Sequence, residues 1–283
     1  MPFLLSKLLE KQNLSLKELE YLLSLQGQEQ EELHKRAYQI KLNHHNNKIY
    51  LRGLIEISNI CTQNCFYCGI YKENTLVSRY EMNNNEVLQA ALWASQQGYG
   101  SLVIQGGERS DYAFIKKITH LLATIKKETQ GQLGITLSLG EQTKEVYQEW
   151  FKAGAHRYLL RIETSSPKLY QTLHPKIQTF KSRLQALENL KEVGYQTGTG
   201  VMIGFFGQTL KDLAKDLLFF KKFDIDMVGM GPYIEHSQSI FAQKKDNFWN
   251  TQNRLETSLN MIALLRILMP NINIAATTAL QTL

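Results

Sequence analysis

The stretch Cys61-Thr-Gln-Asn-Cys65-Phe-Tyr-Cys68 decides how the rest of the chain is interpreted, because it holds all three cysteines of the 283-residue protein. Thiolates are soft ligands for zinc and iron-sulfur clusters, and a short loop can wrap several of them around one metal centre. Three ligands leave one metal corner open. In a cluster of four irons and four sulfides, an open iron can chelate a small molecule and give it an electron. The spacing therefore predicts a reactive site rather than an electron wire.

Two other uses of the three cysteines remain open. A zinc site of three cysteines and one histidine needs a histidine nearby, and none lies within twelve residues of the trio on either side. A disulfide framework does not suit an odd number of cysteines in a chain of this size that begins without a secretory signal. The sequence favours an iron-sulfur site over both.

Composition and charge indicate an ordinary globular protein. Hydrophobic residues make up 43% of the chain, and the net charge of +6 is spread in pairs such as Lys116-Lys117. We interpret these pairs as solvated helix faces and expect no binding to nucleic acid. The apolar run at the amino terminus is too short for a signal peptide, and no stretch approaches eighteen apolar residues. We expect a cytoplasmic protein without a membrane span.

From residue 49 onward, short β-branched runs alternate with longer amphipathic runs, which is typical of βα units around a parallel sheet. Seven strands are predicted, at residues 49–57, 101–105, 135–139, 158–162, 198–203, 227–230 and 272–276. The predicted helices cover residues 86–97 after the cap Asn83, then 112–128, 144–152, 180–193, 210–222 and 255–268. The expected fold is an α/β barrel of the TIM type over residues 49–283. Residues 1–48 are expected to form a helical extension, with a capping box at Ser15 and Glu18.

Polar or glycine-rich corners follow every predicted strand, and the chemistry of a parallel barrel gathers at these carboxyl ends. The corners are Ser58 and Cys61, Gly106-Gly107-Glu108, Gly140-Glu141, Arg161 and Glu163, Gly204, Gly231-Pro232 and Thr277-Thr278. Paired glycines let the backbone approach a ligand closely, so the ammonium group of a ligand can dock at residues 106 and 107. An ordinary turn there is the alternative.

Arg157 and Arg161 are four residues apart, and on a strand an even offset puts both side chains on one face. If that face is the barrel interior, two guanidiniums need anions there. The anions are either protein carboxylates such as Glu141 and Glu163, forming an internal ion-pair network, or a charged substrate.

The cysteine spacing, with Tyr67 before the last cysteine, resembles the signature of the radical S-adenosylmethionine (radical SAM) superfamily, and Gly106-Gly107-Glu108 resembles its GGE motif. The phrases AGAHRYLLRIET, GYQTGTGVMIGFFGQT and NIAATTAL resemble the HydE type of FeFe-hydrogenase maturase, a relative of biotin synthase and methylornithine synthase. The resemblance implies a 4Fe-4S cluster whose open iron binds S-adenosylmethionine. Its reductive cleavage would give a 5'-deoxyadenosyl radical that reacts with a substrate.

The resemblance also implies roles for individual residues. The cluster ligands would be Cys61, Cys65 and Cys68. The S-adenosylmethionine contacts would be Tyr67, Gly106, Gly107, Ser138, Glu163, Arg183 and Met202, although each polar side chain among them suits a salt bridge at the barrel rim equally well. The substrate cavity would be lined by Thr136, Arg157, Arg161, Met227, Thr277 and Thr278. The implied substrate is an organometallic iron-carbonyl-cyanide-cysteine precursor, and the implied partners are hydrogenase maturation proteins and a reducing electron donor.

Three departures from the family pattern affect these expectations. Phe206 stands where a proline is expected, and Glu235-His-Ser-Gln-Ser replaces a proline-rich loop. The chain stops at Leu283, where the maturases continue through an eighth strand, so the barrel is expected to be incomplete. Two alternative functions remain: a related radical SAM reaction on a small amino acid-derived metabolite, and a non-catalytic iron-sulfur carrier or remnant.

Overall fold

The computed structural model describes residues 4–11, 13–244 and 248–282, so the chain end at Leu283 lies outside the described residues. Its central sheet has seven parallel strands: β1 Gly53–Ser58, β2 Ser101–Gly106, β3 Gly134–Ser138, β4 Arg157–Leu159, β5 Gln196–Thr199, β7 Met227–Val228 and β9 Asn273–Ile274. The strands lie side by side in chain order, with β1 and β9 at the two edges. This is the sheet of an open TIM-type α/β barrel, as predicted.

The helices alternate with the strands. Their bounds are α1 Leu5–Leu9, α2 Leu16–Leu23, α3 Gly27–His45, α4 Asn84–Gln96, α5 Tyr112–Glu128, α6 Lys144–Lys152, α7 Pro167–Leu173, α8 Phe180–Val193, α9 Leu210–Phe223 and α10 Thr251–Leu268. Helices α5, α6 and α8 have the predicted bounds. Helix α7 was not predicted, although Ser166 caps it and Pro167 occupies its first turn, which is a common helix start. No helix within the described ranges is long and apolar enough to cross a membrane.

Two predicted strands are interrupted at the same level of the barrel. A Cβ at Gly200 would lie 2.6 Å from the carbonyl carbon of Gly229, so the two backbones touch where neither has a side chain. Beyond this point the two segments continue as short strands, β6 Met202–Ile203 and β8 Gly231–Pro232. These two strands pair with each other in a separate two-stranded sheet. The uninterrupted strands predicted at 198–203 and 227–230 were therefore wrong.

The first strand begins later than predicted. Pairing with β2 starts at Gly53, opposite Leu102, and residues 49–52 are outside any strand. Ile49, Tyr50 and Leu51 are exposed, so an apolar run alone did not identify a strand here.

Alternate side chains of each strand face the helices and form the main hydrophobic core. Leu102 and Ile104 of β2 and Tyr158 of β4 are fully buried there, and the Tyr158 ring meets Tyr147 of α6 edge to face at 5.1 Å. Burying each such side chain stabilises the fold by about 1.5–3 kcal/mol. The opposite side chains line the barrel interior, where polar residues are free to serve a site.

The amino-terminal helices pack on the last helix of the barrel. The buried Asn260 of α10 accepts a hydrogen bond from Gln30 (3.0 Å) and donates to the carbonyls of Leu23 (3.2 Å) and Leu25 (3.1 Å). The predicted capping box, in which Ser15 caps α2, is confirmed. One hydrophobic core runs from these helices into the barrel, and the division of the chain at residue 48 stays a prediction.

Candidate active site

The loop after β1 carries the three cysteines, and hydrogen bonds fasten it to neighbouring segments. The Thr62 backbone N–H donates to the Glu108 carbonyl at 2.9 Å, and the Phe66 N–H donates to the Leu173 carbonyl at 2.9 Å. These bonds attach the loop to the end of β2 and to the end of α7. The cysteines are thus held on the carboxyl side of the sheet, where the sequence predicted them.

Arg79 closes the cysteine loop from within. Its guanidinium donates to five loop carbonyls, those of Asn59 (2.6 Å), Ile70 (3.0 Å), Tyr71 (2.7 Å), Lys72 (3.5 Å) and Asn74 (3.1 Å). One planar group with five N–H donors can satisfy several carbonyls that a compact loop leaves without partners. No sequence motif pointed to Arg79, because a single arginine outside the cysteine spacing forms no pattern.

The thiols lie in surroundings that disfavour an uncompensated negative charge. Burial is the main cause that raises the pKa of Cys61 and Cys68, and it raises the pKa of Cys65 to about 12. The neighbouring thiols add repulsion, while the positive charges of Arg79 and Arg183 act in the opposite direction. A thiolate is therefore stable here when a metal cation takes the place of the proton.

The donor set fits a cluster rather than one metal ion. Within the part of the chain that the structure describes, no three or more His, Cys, Asp or Glu side chains are arranged to hold a single ion. In a four-iron cluster each cysteine binds its own iron, so the sulfurs need not converge on one point. Cys65 nevertheless senses the charges of both Cys61 and Cys68. This arrangement favours the iron-sulfur prediction over the zinc alternative.

Gly106 ends β2 and Gly107 follows it, and Gly107 is the one at which a side chain would clash with the neighbouring backbone. A Cβ at Gly107 would lie 2.7 Å from the Ile60 carbonyl carbon and 2.9 Å from Cys61 Cβ. A Cβ at Gly106 would come no closer than 3.3 Å to its nearest neighbours, Ile57 and the Ser58 carbonyl. The cysteine loop therefore rests on the bare backbone of Gly107.

Glu108 and Arg183 link the cysteine loop to the ends of β3 and β4. Glu108 accepts hydrogen bonds from Gln63 in the loop (2.5 Å) and from the Glu141 backbone N–H (2.8 Å). Burial raises the pKa of the Glu108 carboxyl, and the Arg183 charge opposes that rise. The buried Arg183 donates to the Glu141 carboxylate at 2.6 Å and to the Arg161 carbonyl. The predicted partner of Arg183, a cofactor carboxylate, would have to compete with these contacts.

Glu163 lies just past β4 in a left-handed backbone conformation, with φ of +64°. Its Oε1 accepts from the Tyr67 hydroxyl at 3.3 Å, and its Oε2 lies 3.0 Å from Arg161 Nη2. The Glu163 Oε2 and Arg161 Nε atoms are buried and have no hydrogen-bond partner among the described residues. The two side chains therefore form an ion pair without a hydrogen bond between them. Glu163 Oε2 and Arg161 Nε can each still form a hydrogen bond with a polar ligand beside the cysteine loop.

A small apolar cluster faces the same region. It consists of Leu173, Met202, Phe205, Tyr233 and Phe241, with Phe66, Tyr67 and Leu169 against it. Burial raises the pKa of the Tyr67 hydroxyl well above its ordinary value, so that group stays protonated and donates. Met202 and Tyr67 thus pack in the same apolar cluster, and their contacts with a cofactor stay a prediction.

Four further predicted residues lie at different levels of the barrel. Ser138 ends β3 opposite Gln105 of β2, while Thr136 lies deeper, with its buried hydroxyl unpartnered among the described residues. Thr277 donates to the Met230 carbonyl at 3.2 Å, and Thr278 begins the 3₁₀ turn Thr278–Gln281. The predicted strand at 272–276 therefore ends at Ile274, before these two threonines.

Arg157 and Met227 are at the other end of the barrel, because each is the first residue of its strand. Arg157 donates to the Gln196 side chain at 2.7 Å and lines a cavity of about 820 Å³ together with Arg52, Tyr50 and Trp93. Arg161 is beyond the end of β4, so the structure does not bring the two arginines together. Arg52 donates to Met227 Sδ at 3.2 Å. Burial, together with the nearby charge of Arg157, lowers the pKa of Arg52.

The sequence of the chain is similar to those of known proteins. Residues 55–220 match the radical SAM superfamily. The chain is 43% identical over 254 residues to the FeFe hydrogenase maturase subunit HydE of Thermotoga maritima, an alignment covering 89% of this chain and 70% of that protein. It is 27% identical over 277 residues to 3-methylornithine synthase of Methanosarcina acetivorans, covering 97% of this chain and 76% of that protein.

The fold also resembles a solved structure. The crystal structure of methylornithine synthase (PylB) superposes with a TM-score of 0.84 at 23% identity, and the superposition covers 95% of this chain and 77% of that one. At this identity the likeness establishes the shared barrel fold.

Proposed function

Because the chain belongs to the radical SAM superfamily, and within it to the family of the hydrogenase maturase HydE, we propose that it acts in assembling the active-site cofactor of FeFe-hydrogenase. It is a radical SAM enzyme, and its cofactors are a 4Fe-4S cluster and S-adenosylmethionine. When bound, these two groups supply a 5'-deoxyadenosyl radical through one-electron cleavage of the sulfonium.

The observation that carries the proposal is the seating of the cysteine loop on Gly107. The loop is fixed at that glycine by steric contact with Ile60 and Cys61, and Arg79 fastens its carbonyls from within. The three thiols are thereby presented together from one rigid loop at the carboxyl end of a parallel barrel, where such folds place their chemistry.

We assign the neighbouring residues by their contacts. Cys61, Cys65 and Cys68 hold the cluster. The backbone at Gly106 and Gly107 offers carbonyls to an ammonium group. Glu163 Oε2, which has no hydrogen-bond partner among the described residues, suits a ribose hydroxyl. Tyr67, Met202 and the apolar cluster around them exclude water from the reacting carbon, which protects a radical from side reactions. Ser138 remains a candidate hydrogen-bond donor, and Arg183 remains a candidate only if it releases Glu141.

We propose an anionic substrate, such as an iron-carbonyl-cyanide species, in the barrel interior. Arg52 and Arg157 carry two positive charges beside the cavity at the end of the barrel opposite the cysteines, and neither forms a salt bridge within the described residues. Arg161 supplies a third charge nearer the cluster. The half-buried guanidiniums of Arg52 and Arg157 would be stabilised by a bound anion. Thr136, whose hydroxyl has no partner among the described residues, pairs with Arg157 in the sheet, and Met227, Thr277 and Thr278 complete the proposed lining.

The first test is anaerobic. The protein is reconstituted with iron and sulfide, S-adenosylmethionine and dithionite are added, and 5'-deoxyadenosine is measured by chromatography. We expect product from the native chain and none from Cys65→Ala. A cluster of the expected iron content that yields no product would favour the alternative of a non-catalytic iron-sulfur carrier.

The second test addresses the biological role. Apo-hydrogenase is incubated with the other maturation proteins, a reducing electron donor and this chain in place of the maturase. Hydrogen production that depends on Cys65 supports hydrogenase maturation. Cleavage of S-adenosylmethionine without hydrogenase activation would instead favour a reaction on a small amino acid-derived metabolite.

A further inference from the structure

Each of the three cysteine sulfurs faces an N–H group, but the source differs for the middle one. Cys61 Sγ accepts from the Gln63 backbone N–H at 3.4 Å and also faces the Glu108 backbone, while Cys68 faces the Ile70 backbone. Gln63 and Ile70 are each two residues further along the loop than the cysteine they face. For Cys65 the only N–H that the described residues provide is the Gln178 side-chain amide, whose Nε2 lies 3.6 Å from the sulfur.

Gln178 belongs to a different part of the chain, and its position is fixed. It is in the turn between α7 and α8, where its backbone N–H donates to the Pro175 carbonyl at 2.9 Å. The next residue, Thr179, caps α8 by accepting from the Ser182 N–H at 3.1 Å. The cysteine loop is attached to the same segment through Phe66. The amide is thus held against Cys65 from outside the cysteine motif.

The chemistry of the sulfur selects one orientation of this amide. A protonated thiol can also face the amide oxygen, which lies 3.9 Å from Cys65 Sγ. A metal-bound thiolate has no proton and only accepts, so the amide must then present its N–H.

We propose that Gln178 is a positioning residue that donates an N–H···S hydrogen bond to the Cys65 thiolate and thereby raises the reduction potential of the cluster. This inference rests on the proposed function, because it requires a cluster at the three cysteines. Reduction adds negative charge to the cluster and its sulfurs. A donor aimed at a ligand sulfur stabilises the reduced form more than the oxidised form.

The test compares the native chain with Gln178→Leu, Gln178→Glu and Gln171→Leu. Leucine keeps the size but removes the donor, and glutamate replaces the donor with a like charge. Gln171 is the matched control, because its amide donates to the His174 backbone carbonyl (3.1 Å) in the same segment and not to a sulfur. Each protein is reconstituted, its iron and sulfide are counted, and the cluster is titrated electrochemically with detection by electron paramagnetic resonance.

We expect Gln178→Leu to lower the ratio of reduced to oxidised cluster at a fixed potential by about threefold to tenfold, where tenfold is ~59 mV for one electron. Gln178→Glu should lower it further, and Gln171→Leu should match the native chain. Equal potentials for the native chain and Gln178→Leu, with full clusters in both, would overturn the inference alone. A native chain that assembles no four-iron cluster would overturn the proposed function as well.

Discussion

The hydroxyl of Tyr67 lies 3.3 Å from Oε1 of Glu163 and donates to it, which joins the cysteine loop to the end of β4. Glu163 reaches this position in the left-handed region, with φ of +64°. Its backbone is held there from both sides, because its N–H donates to the Gly200 carbonyl (2.9 Å) and its carbonyl accepts from Met202 (3.2 Å). The fold thus tolerates an unfavourable backbone conformation at the residue that presents its carboxylate to the cysteine loop.

The backbone cost at Glu163 can be separated from the role of its side chain. Both Glu163→Ala and Glu163→Gly remove the carboxylate, but only glycine adopts the left-handed conformation without strain. We expect Glu163→Gly to have a free energy of unfolding about 1 kcal/mol higher than Glu163→Ala, measured by urea denaturation. Affinity for S-adenosylmethionine should fall in both variants. Alanine as stable as glycine would contradict the assigned strain.

Gly107 provides a second test, since it supports the cysteine loop sterically. In Gly107→Ala the new Cβ would collide with the Ile60 carbonyl and displace Cys61. We expect a loss of about 1–3 kcal/mol in stability and a lower iron content after reconstitution. Gly100→Ala is the control, because a Cβ there meets nothing within 4 Å. Full cluster loading of Gly107→Ala would show that the loop does not depend on this contact.

The sequence predicted the parallel sheet and the cysteine loop because both are local patterns. Alternation of strand and helix periods identified α5, α6 and α8 to the residue, and short cysteine spacing predicted the loop that we propose holds the cluster. Residues that act across the fold left no such pattern. Arg79 contacts the carbonyls of the cysteine loop, and Gln178 contacts the sulfur of Cys65, which is far away in sequence. No residue spacing predicts such contacts. Arg157 was grouped with Arg161 because residues an even number apart on a strand share a face. That rule does not say at which end of the barrel each residue lies, or whether the strand extends to both.

Arg183 was expected to bind a cofactor carboxylate, and its contacts predict a structural effect that comes first. It lies between the Glu141 carboxylate and the Arg161 carbonyl, with Glu108 Oε2 4.0 Å away. Arg183→Met would leave two carboxylates close together without a cation. We expect it to lose about 3–5 kcal/mol of stability by urea denaturation, and Glu141→Gln to lose less. If Arg183→Met is as stable as the native chain and only binds S-adenosylmethionine more weakly, the cofactor role is primary.

Asp216 of α9 predicts how stability changes with pH. Its fully buried carboxyl accepts from the Ser165 backbone N–H and hydroxyl, both at 2.6 Å, while Oδ2 has no partner among the described residues. Burial raises its pKa from 3.8 to about 7, and the nearby Asp212 adds to the rise. The Ser165 hydrogen bonds and Lys215 act in the opposite direction. Through Ser165, this carboxyl holds the turn that follows Glu163.

Because the folded pKa is above the unfolded one, the folded state binds more protons between pH 3.8 and about 7. The contribution of Asp216 to stability is therefore fully present below pH 3.8 and is lost as the pH rises to about 7. Asp216→Asn cannot ionise, so its stability relative to the native chain should increase by about 1 kcal/mol for each pH unit from pH 5 to 7 and then level off. Urea denaturation at pH 5, 6, 7 and 8 measures this difference. Asp224→Asn, which removes a carboxylate whose side chain is 92% exposed, controls for the loss of a surface charge. A difference between Asp216→Asn and the native chain that stays constant across this range would mean that Asp216 ionises equally in both states, and that its hydrogen bonds from Ser165 offset its burial.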